Sequence, residues 1–183
     1  MPQPFPKLFT GQLVRLCAPR PEDTAEMALW TEDSDYLRRV DTDYARPRTT
    51  AQAGEQIPFS LPNNAVYFHI RTLAEDQLVG FIVLHSIEWN NGTAVVSLGI
   101  GRAENQNRGY GTDALRLVLN YAFYELNLYR VGLDVIGDNE RAIHVYEQVG
   151  FKLEGTVRGA VHRDGKRVDR IYMGILAEEY KAL

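Results

Sequence analysis

The feature that most constrains how this chain folds is the turn NQNRGYGTD at residues 105–113, which lies between two hydrophobic segments. The segment before it, TAVVSLGIG, has the β-branched composition of a strand. The segment after it predicts an amphipathic helix over 112–126, because its apolar residues fall on one stripe: Leu115, Val118, Leu119, Ala122, Phe123 and Leu126. A glycine turn that opens a helix is either an ordinary connection or a place where backbone N–H groups bind an anion.

The segments before this turn predict an antiparallel meander. Strands are expected over 12–18, 65–73 and 77–89, and Asn91-Gly92 favours a tight hairpin into the strand that precedes the glycine turn. PEDTAEMALWTED predicts a helix after the first strand. The pattern is weak over 36–64, where RTTAQAGEQI predicts only a short helix with a threonine cap.

The segments after the turn complete a mixed α/β sheet in one domain. A strand is expected over 129–136, followed by a helix that Asp138 or Asn139 caps. Two closing strands are expected on either side of Asp164-Gly165. The prolines at 2, 4 and 6 predict an extended N-terminal arm over 1–10, which leaves 11–183 as the single domain.

Composition limits the classes of partner. The chain has 183 residues, 45% hydrophobic and 24% charged, with a net charge of −4, which is typical of a soluble globular protein and argues against a nucleic-acid binder. No apolar run approaches the ~18 residues of a membrane span, and residues 1–9 have no signal-peptide core, so we expect a cytoplasmic protein. Cys17 is the single cysteine and is interpreted as a core residue. No metal-ligand spacing occurs, so no metal is expected.

The turn fits one kind of anion site better than the others. A Walker loop is excluded because Gly111 is followed by Thr112 and Asp113 rather than by Lys and Ser or Thr. A dinucleotide fingerprint is weak because the turn follows a meander. What is left is a pyrophosphate bound by N–H groups at the helix start, with Gly109 and Gly111 allowing close approach and Arg108 adding a charged contact. A purely structural turn is the alternative.

Two motifs, in order and at the expected distance, resemble those of the GNAT acetyltransferases. Residues 106–111, QNRGYG, fit the motif Q/R-x-x-G-x-G/A. The second motif, N-x-x-A-x-x-x-Y-x-x-x-G-F, is matched by Asn139, Ala142, Tyr146, Gly150 and Phe151. The first strand and helix and the closing strands also resemble the Rim-type branch, which acetylates the N-termini of ribosomal proteins. The resemblance spans nearly the whole chain.

The resemblance implies a GNAT-like domain: a central, mostly antiparallel twisted sheet with flanking helices. Its parallel strands, here 95–101 and 130–136, separate and leave backbone groups for the pantetheine arm of acetyl-CoA, the implied co-substrate. A backbone N–H within 98–100 would stabilise the oxyanion. The implied cofactor-binding residues are Leu98, Gly99, Ile100, Gln106, Asn107, Arg108, Gly109, Tyr110, Gly111, Thr112, Asn139, Ala142 and Tyr146.

The implied chemistry is direct attack of an amine on the thioester, so no protein nucleophile is needed. Tyr146 resembles the tyrosine that protonates the departing thiolate, although it also lies on the apolar face of its helix and could be a core residue. Asn139 is either a helix cap, a cofactor contact or both.

The general base is less clear from the sequence. Ser97 stands where many relatives carry Glu, and serine alone is a poor base, so a water chain or another carboxylate is expected to take the proton. Glu88 and Glu104 are candidates because they lie close in sequence to this strand, but the preferred interpretation of each is a solvated surface residue. His69 and His85 are interpreted as packed or exposed strand residues.

The acceptor is the least determined part. We favour a protein or peptide N-terminal amine, with a polyamine or an aminoglycoside as alternatives. Acidic residues near the acceptor mouth would favour a cationic amine, and residues 33–43 are acidic while the closing hairpin is basic. A coenzyme A-binding module without activity and a structural α/β domain also stay open. The resemblance makes a homodimer reasonable.

Overall fold

The computed structural model describes residues 7–55 and 63–181 of the chain. The strands are β1 Val14–Cys17, β2 Val66–Thr72, β3 Leu78–Glu88, β4 Thr93–Ile100, β5 Arg130–Ile136, β6 Lys152–Arg163 and β7 Lys166–Leu176. The α-helices are α1 Asp23–Trp30, α2 Ser34–Val40, α3 Thr50–Glu55, α4 Tyr110–Asn120 and α5 Glu140–Val149. The strands form one 7-stranded sheet in the order β1-β2-β3-β4-β5-β7-β6.

The sheet is mostly antiparallel, as the sequence predicts. β1 to β4 form the expected meander, and β5, β7 and β6 continue antiparallel on the other side. At the tip of the closing hairpin, Asp164 (φ 49°) and Gly165 (φ 72°) both have left-handed backbone, which is the conformation of a type I′ turn. The mixed α/β class with flanking helices is confirmed.

β4 and β5 are parallel and separate soon after they meet. They pair at Thr93 with Arg130, at Ala94 with Val131 and at Val95 with Gly132, and at no later position in the described chain. Residues 96–100 of β4 therefore have β3 on one side and no strand partner on the other. This is the splayed parallel pair that the family resemblance implies, and it opens the sheet at its centre.

α4 fills the core behind this opening. Its stripe residues Leu115, Val118 and Leu119 and the following Ala122 have no exposed surface, and each large apolar side chain buried this way contributes about 1.5–3 kcal/mol. The predicted helix over 112–126 is confirmed, but α4 begins at Tyr110, and the helix ends in a π-helical turn over Tyr121–Glu125.

The weak segment contains a helix that the sequence analysis missed. α2 begins after Asp33, whose carboxylate accepts hydrogen bonds from the backbone N–H groups of Asp35 (2.8 Å) and Tyr36 (3.3 Å). The threonine cap predicted for α3 is present: Thr49 Oγ1 accepts from Gln52 N (3.3 Å), and Gln52 Oε1 accepts from Thr49 N (3.1 Å).

A buried ionic cluster fastens α1 to β2. The Asp23 carboxylate lies 2.6 Å from His69 Nδ1 and is also paired with the Arg71 guanidinium. His69 is fully buried, and Asp23 and Arg71 are 4% and 6% exposed. Cys17, half-buried, donates a weak Sγ hydrogen bond to the His69 carbonyl (3.6 Å). Because these charges are out of water, removing one partner leaves the others uncompensated.

Residues 1–6 of the predicted arm lie outside the described residues. The rest of the arm is tied to the sheet: Thr10 forms a β-bridge with Arg15, and the Phe9 ring lies 5.6 Å from the Phe68 ring. Among the described helices, none is long and apolar enough to cross a bilayer.

Candidate active site

A cavity of about 950 Å³ opens where β4 and β5 separate. Its walls come from both strands, the glycine turn, the N-terminal parts of α4 and α5, and the end of α2. Thirteen of the residues singled out from the sequence line it, namely Ser97, Leu98, Gly99, Ile100, Gln106, Asn107, Gly109, Tyr110, Gly111, Thr112, Asn139, Ala142 and Tyr146. Arg108 does not line the cavity; it is an exposed residue between Asn107 (φ 60°) and Gly109 (φ 80°), both left-handed.

The glycine turn leaves the first turn of α4 free to bind an anion. Gly109 is the N-cap of α4 and has no side chain. The first backbone N–H groups of the helix therefore donate no hydrogen bond to a capping side chain. Its φ of 80° is a conformation that favours glycine. At Gly111 an added Cβ would lie 3.5 Å from Leu98 Cδ1, so the protein itself has room for alanine there. An alanine would therefore obstruct only a ligand that approaches this backbone.

Asp113, the last residue of the turn motif, has a structural role that the sequence analysis missed. Its carboxylate accepts hydrogen bonds from the backbone N–H groups of Gln12 (3.2 Å), Leu13 (2.8 Å) and Val14 (3.0 Å). These bonds attach the start of β1 to the start of α4. The acidic group therefore fixes the position of the turn rather than facing the cavity.

Two arginines supply positive charge to the cavity beside the turn. Arg141 Nη1 donates to Gln106 Oε1 (2.9 Å), which holds the guanidinium against the glycine turn. Arg39, from the end of α2, also lines the cavity. Desolvation and the nearby Arg39 charge lower the pKa of Arg141. Two guanidiniums that line one cavity, close enough for the charge of one to lower the pKa of the other, are suited to bind an anionic ligand. The sequence motif indicates Arg108 as the charged contact for the anion. In the structure it is Arg141 that lies beside the glycine turn and lines the cavity.

His85 and Ser97 meet on the cavity wall. Ser97 of β4 pairs with Val83 of β3, and His85 lies two residues after Val83 and pairs with Val95. The side chains of His85 and Ser97 therefore lie on the same face of the sheet, on neighbouring strands. His85 Nε2 is 3.0 Å from Ser97 Oγ, and His85 Nδ1 is 3.1 Å from Ser86 Oγ. Burial lowers the pKa of His85, which favours the neutral imidazole, while the Asp134 carboxylate acts in the opposite direction.

The carboxylates proposed as bases from the sequence lie elsewhere. Neither Glu88 nor Glu104 lines the cavity, and both are exposed. The Glu88 carboxylate accepts a hydrogen bond from Asn91 Nδ2 (2.5 Å) near the β3–β4 connection. The interpretation of His85 as a merely packed or exposed residue was incomplete, because its partner Ser97 is brought to it by strand register.

Tyr146 lies in the same cavity on α5. Its ring is 5.9 Å from the Phe151 ring, and burial together with the Asp134 charge raises the pKa of its hydroxyl to about 12. Asn139 caps α5, since its Oδ1 accepts from Ala142 N (3.3 Å), and it also lines the cavity. Both roles considered for Asn139 are therefore geometrically compatible.

The part of the cavity wall formed by β2, β3 and α2 is mainly aromatic and aliphatic rather than acidic. Side chains of β2, β3 and α2 line it: Tyr36, Val40, Tyr67, Phe81 and Val83. Of the aspartates within 33–43, only Asp41 lines the cavity. The basic hairpin contacts this acidic segment, because Arg38 pairs with Asp164 and Arg163 donates to the Asp41 carbonyl (2.9 Å).

Comparisons with known proteins agree with this geometry. Residues 14–152 match the family model described as the acetyltransferase (GNAT) domain. The SPbeta prophage-derived uncharacterized N-acetyltransferase YokL of Bacillus subtilis is 27% identical over 173 residues, which are 94% of this chain and 95% of that protein. The putative ribosomal N-acetyltransferase YdaF of the same organism is 33% identical over 109 residues, covering 60% of this chain and 59% of YdaF.

Polyamine enzymes are also among the similar proteins. The spermidine N(1)-acetyltransferase of Escherichia coli K12 is 38% identical over 79 residues, which are 43% of this chain and 42% of that enzyme. The crystal structure of Vibrio cholerae spermidine N-acetyltransferase in complex with CoA and spermine superposes with a TM-score of 0.81 at 23% identity, covering 91% of this chain and 97% of that one.

The family match covers most of the chain, including the splayed strands and both motifs. The predicted fold is shown by solved structures, among them a GNAT-family acetyltransferase from Bacillus anthracis with a TM-score of 0.79 over 93% of this chain and 99% of that one, at 22% identity. The enzyme class expected from the sequence, an N-acetyltransferase, is confirmed at the level of the family. The chain belongs to the GNAT acetyltransferase family.

Proposed function

We propose that this chain transfers the acetyl group of acetyl-CoA directly to the primary amine of a protein or peptide N-terminus. The observation that carries the proposal is the 3.0 Å contact between His85 Nε2 and Ser97 Oγ on the wall of the cavity between β4 and β5. This pair offers a proton acceptor where the family chemistry requires one.

The residues present fit acetyl-CoA, which supplies the activated acetyl thioester. The uncapped first turn of α4 and the Arg141 and Arg39 guanidiniums would bind its phosphates. The unpaired β4 edge over 96–100 would bind the amide-bearing arm. We assign the oxyanion contact to a backbone N–H within 98–100, on the same edge.

Proton transfer begins at the acceptor amine. An α-ammonium group has a pKa of about 8, so only a modest base is needed near neutral pH. We assign Ser97 as the group that accepts the amine proton while passing its own proton to His85 Nε2. Burial lowers the pKa of His85, which keeps the resting imidazole neutral at this pH and its Nε2 lone pair available for the proton. The amine nitrogen then bonds to the carbonyl carbon.

The second proton transfer is to the leaving group. As the C–S bond breaks, the sulfur takes up negative charge, and we assign Tyr146 to donate its hydroxyl proton there. A pKa of about 12 keeps this hydroxyl protonated across the physiological range. The nitrogen loses its second proton as the amide forms, and this proton restores the Tyr146 hydroxyl. His85 releases to solvent the proton it accepted, so the cycle ends with amide, free thiol and one released proton.

Thiol release from acetyl-CoA tests the proposal. The purified chain should release thiol with a peptide that has a free N-terminus, and acetylating that terminus beforehand should abolish the release. His85→Gln should lose most turnover, whereas His162→Gln, at an exposed position in the closing hairpin that does not line the cavity, should retain it. Release that is unchanged by blocking the N-terminus would contradict the proposed acceptor.

A spermidine-like amine is the second candidate, and the similarity to spermidine N-acetyltransferases favours it. The charges of the cavity favour it less. Among the described lining residues the carboxylates are Asp41 and Asp134, and Asp134 lies 3.6 Å from the Arg170 guanidinium. A polyamine carries several positive charges, so it needs more carboxylate than this. Faster turnover of spermidine than of any peptide would establish this second candidate instead.

A further inference from the structure

We infer that the acceptor amine is attached to a carbon that carries an aromatic or branched aliphatic group, and that this group binds against the aromatic and aliphatic part of the cavity wall. We call this part the apolar wall and define it by Tyr36, Val40, Tyr67, Phe81 and Val83. The inference rests on the proposed function, because it specifies the acceptor for the same acetyl transfer.

Strand register places the wall beside the proposed proton acceptor. Tyr67 of β2 pairs with Val83 of β3, and Val83 pairs with Ser97 of β4, so the three side chains form one row across the sheet. Phe81, Val83 and His85 alternate along β3 and share this face. An amine directed at Ser97 therefore has its substituents next to Val83 and Tyr67.

The wall also lies over the proposed acetyl site. A Cβ built on Gly99 would lie 2.8 Å from both Phe81 Cε1 and Val40 Cγ2, so these two side chains cover the β4 backbone at that residue. The missing side chain at Gly99 keeps a short path between the wall and the β4 edge. A group held against Phe81 and Val40 is consequently close to the position proposed for the thioester carbonyl.

The side chains of the wall pack against one another and against a small second core. The Tyr67 and Phe81 rings stack at 5.8 Å with 4° between their planes. Tyr36 and Leu37 of α2 pack with Trp30 and Leu78 in a small core of their own, against which Val40 and Phe81 also pack. Because these side chains are fixed by their neighbours, the surface is preformed for an apolar group and needs little ordering on binding.

A matched peptide series tests the inference. The peptides share one uncharged tail and differ only in the first residue, which is Gly, Ala, Leu or Phe. We expect kcat/KM for Leu or Phe to exceed that for Gly by about tenfold or more, since one methylene group in an apolar pocket is worth roughly tenfold or above. Phenylalanine amide and spermidine are assayed beside the peptides, to show whether the preferred acceptor is a small amine or a polyamine rather than a peptide.

Variants locate the selectivity. Val40→Ala keeps a helix-forming residue in α2 and should reduce severalfold the ratio of the Leu or Phe rate to the Gly rate. Phe81→Ala should reduce it further, and Leu153→Ala, at an exposed β6 position 66% accessible, is the control. A variant that simply misfolds would lose the Gly rate as well, so the ratio of rates reports on the wall itself.

The outcomes separate the inference from the proposed function. If the Gly and Ala peptides are the fastest acceptors, the inference is wrong and the N-terminal acetyltransferase stands. If phenylalanine amide is acetylated as fast as the Phe peptide, the wall selects the aromatic side chain as inferred, and the acceptors include small amines beside peptides. If spermidine alone is used, or nothing is used while acetyl-CoA binds, both proposals are overturned.

Discussion

The imidazole Nε2 of His85 lies 3.0 Å from the hydroxyl oxygen of Ser97, across the neighbouring strands β3 and β4. Neither residue is a strong base by itself at this position. Together they connect a cavity-facing hydroxyl to an imidazole whose pKa is lowered by burial. We propose that this pair provides the proton path in a chain that has serine where many relatives carry glutamate.

In a plot of kcat against pH, replacing His85 should remove the fall in kcat at acidic pH, which we call the acidic limb. Because the pKa of His85 is lowered from its ordinary value of about 6.5, the imidazole of the resting enzyme stays neutral and able to accept a proton down to that pH. We therefore expect kcat to fall only at pH values below about 6.5. His85→Gln should reduce kcat by about 10²-fold and flatten that limb. An unchanged acidic limb in the variant would assign the limb to another group.

Tyr146→Phe should lower kcat and leave acetyl-CoA affinity intact. The hydroxyl is needed only when the thiolate leaves, so we expect a loss of about 10²-fold in kcat. Since the pKa of Tyr146 is about 12, this group should cause no fall in kcat up to about pH 10. Equilibrium binding measured by calorimetry, beside steady-state rates, separates the two effects. Equal losses in binding and turnover would instead indicate a packing role.

Two glycine variants distinguish binding from folding. Gly111→Ala should weaken acetyl-CoA binding by about tenfold at an unchanged melting temperature, because the new Cβ meets Leu98 Cδ1 only at 3.5 Å. Gly109→Ala forces a left-handed backbone on alanine and should lower the free energy of unfolding by about 1–2 kcal/mol. Normal affinity in Gly111→Ala would mean that no ligand approaches that backbone closely.

The positive charge that binds the phosphates of coenzyme A should come from Arg141 and Arg39 rather than from Arg108. Losing a charge-assisted hydrogen bond to phosphate costs about 1.5–3 kcal/mol, so Arg141→Gln should weaken coenzyme A binding by about tenfold or more. Arg39→Gln should have an effect in the same direction. Arg108→Gln is the matched control, since Arg108 does not line the cavity. The dissociation constants should be compared at one fixed salt concentration. A larger loss for Arg108→Gln would contradict this assignment.

The buried cluster of α1 and β2 should be a major contributor to stability. Asp23→Ala leaves Arg71 as an uncompensated buried charge and should lower the free energy of unfolding by about 3–5 kcal/mol, measured by urea denaturation. Asp76→Ala removes a solvent-exposed carboxylate that pairs with Arg15 and should have a much smaller effect. Comparable losses in the two variants would show that burial of the Asp23 pair is not what matters.

The sequence predicts most of the fold because the decisive signals are local. The glycine turn, the α4 stripe and the Asp164-Gly165 hairpin each depend on residues close together in the chain, and the structure confirms them. α2 was missed because it has only 7 residues, too few for a periodic pattern, and the Asp33 cap resembled one more member of an acidic segment.

The site was predicted less completely, because part of it depends on tertiary register. His85 and Ser97 are 12 positions apart and meet only through the pairing of β3 with β4. Arg141 reaches the glycine turn from another helix, which no motif spacing indicates. A period-two pattern at Phe81, Val83 and His85 was present in the sequence and could have indicated a shared face.

The most direct test is to locate the acetyl group on a peptide that offers two amines. A peptide with a free N-terminal Leu and one internal lysine is incubated with acetyl-CoA and the purified chain, and fragment-ion mass spectrometry assigns the modified nitrogen. We expect acetylation of the α-amine, with little product after His85→Gln. Acetylation of the lysine side chain alone, or product formation that is unaffected by His85→Gln, would contradict the proposed function.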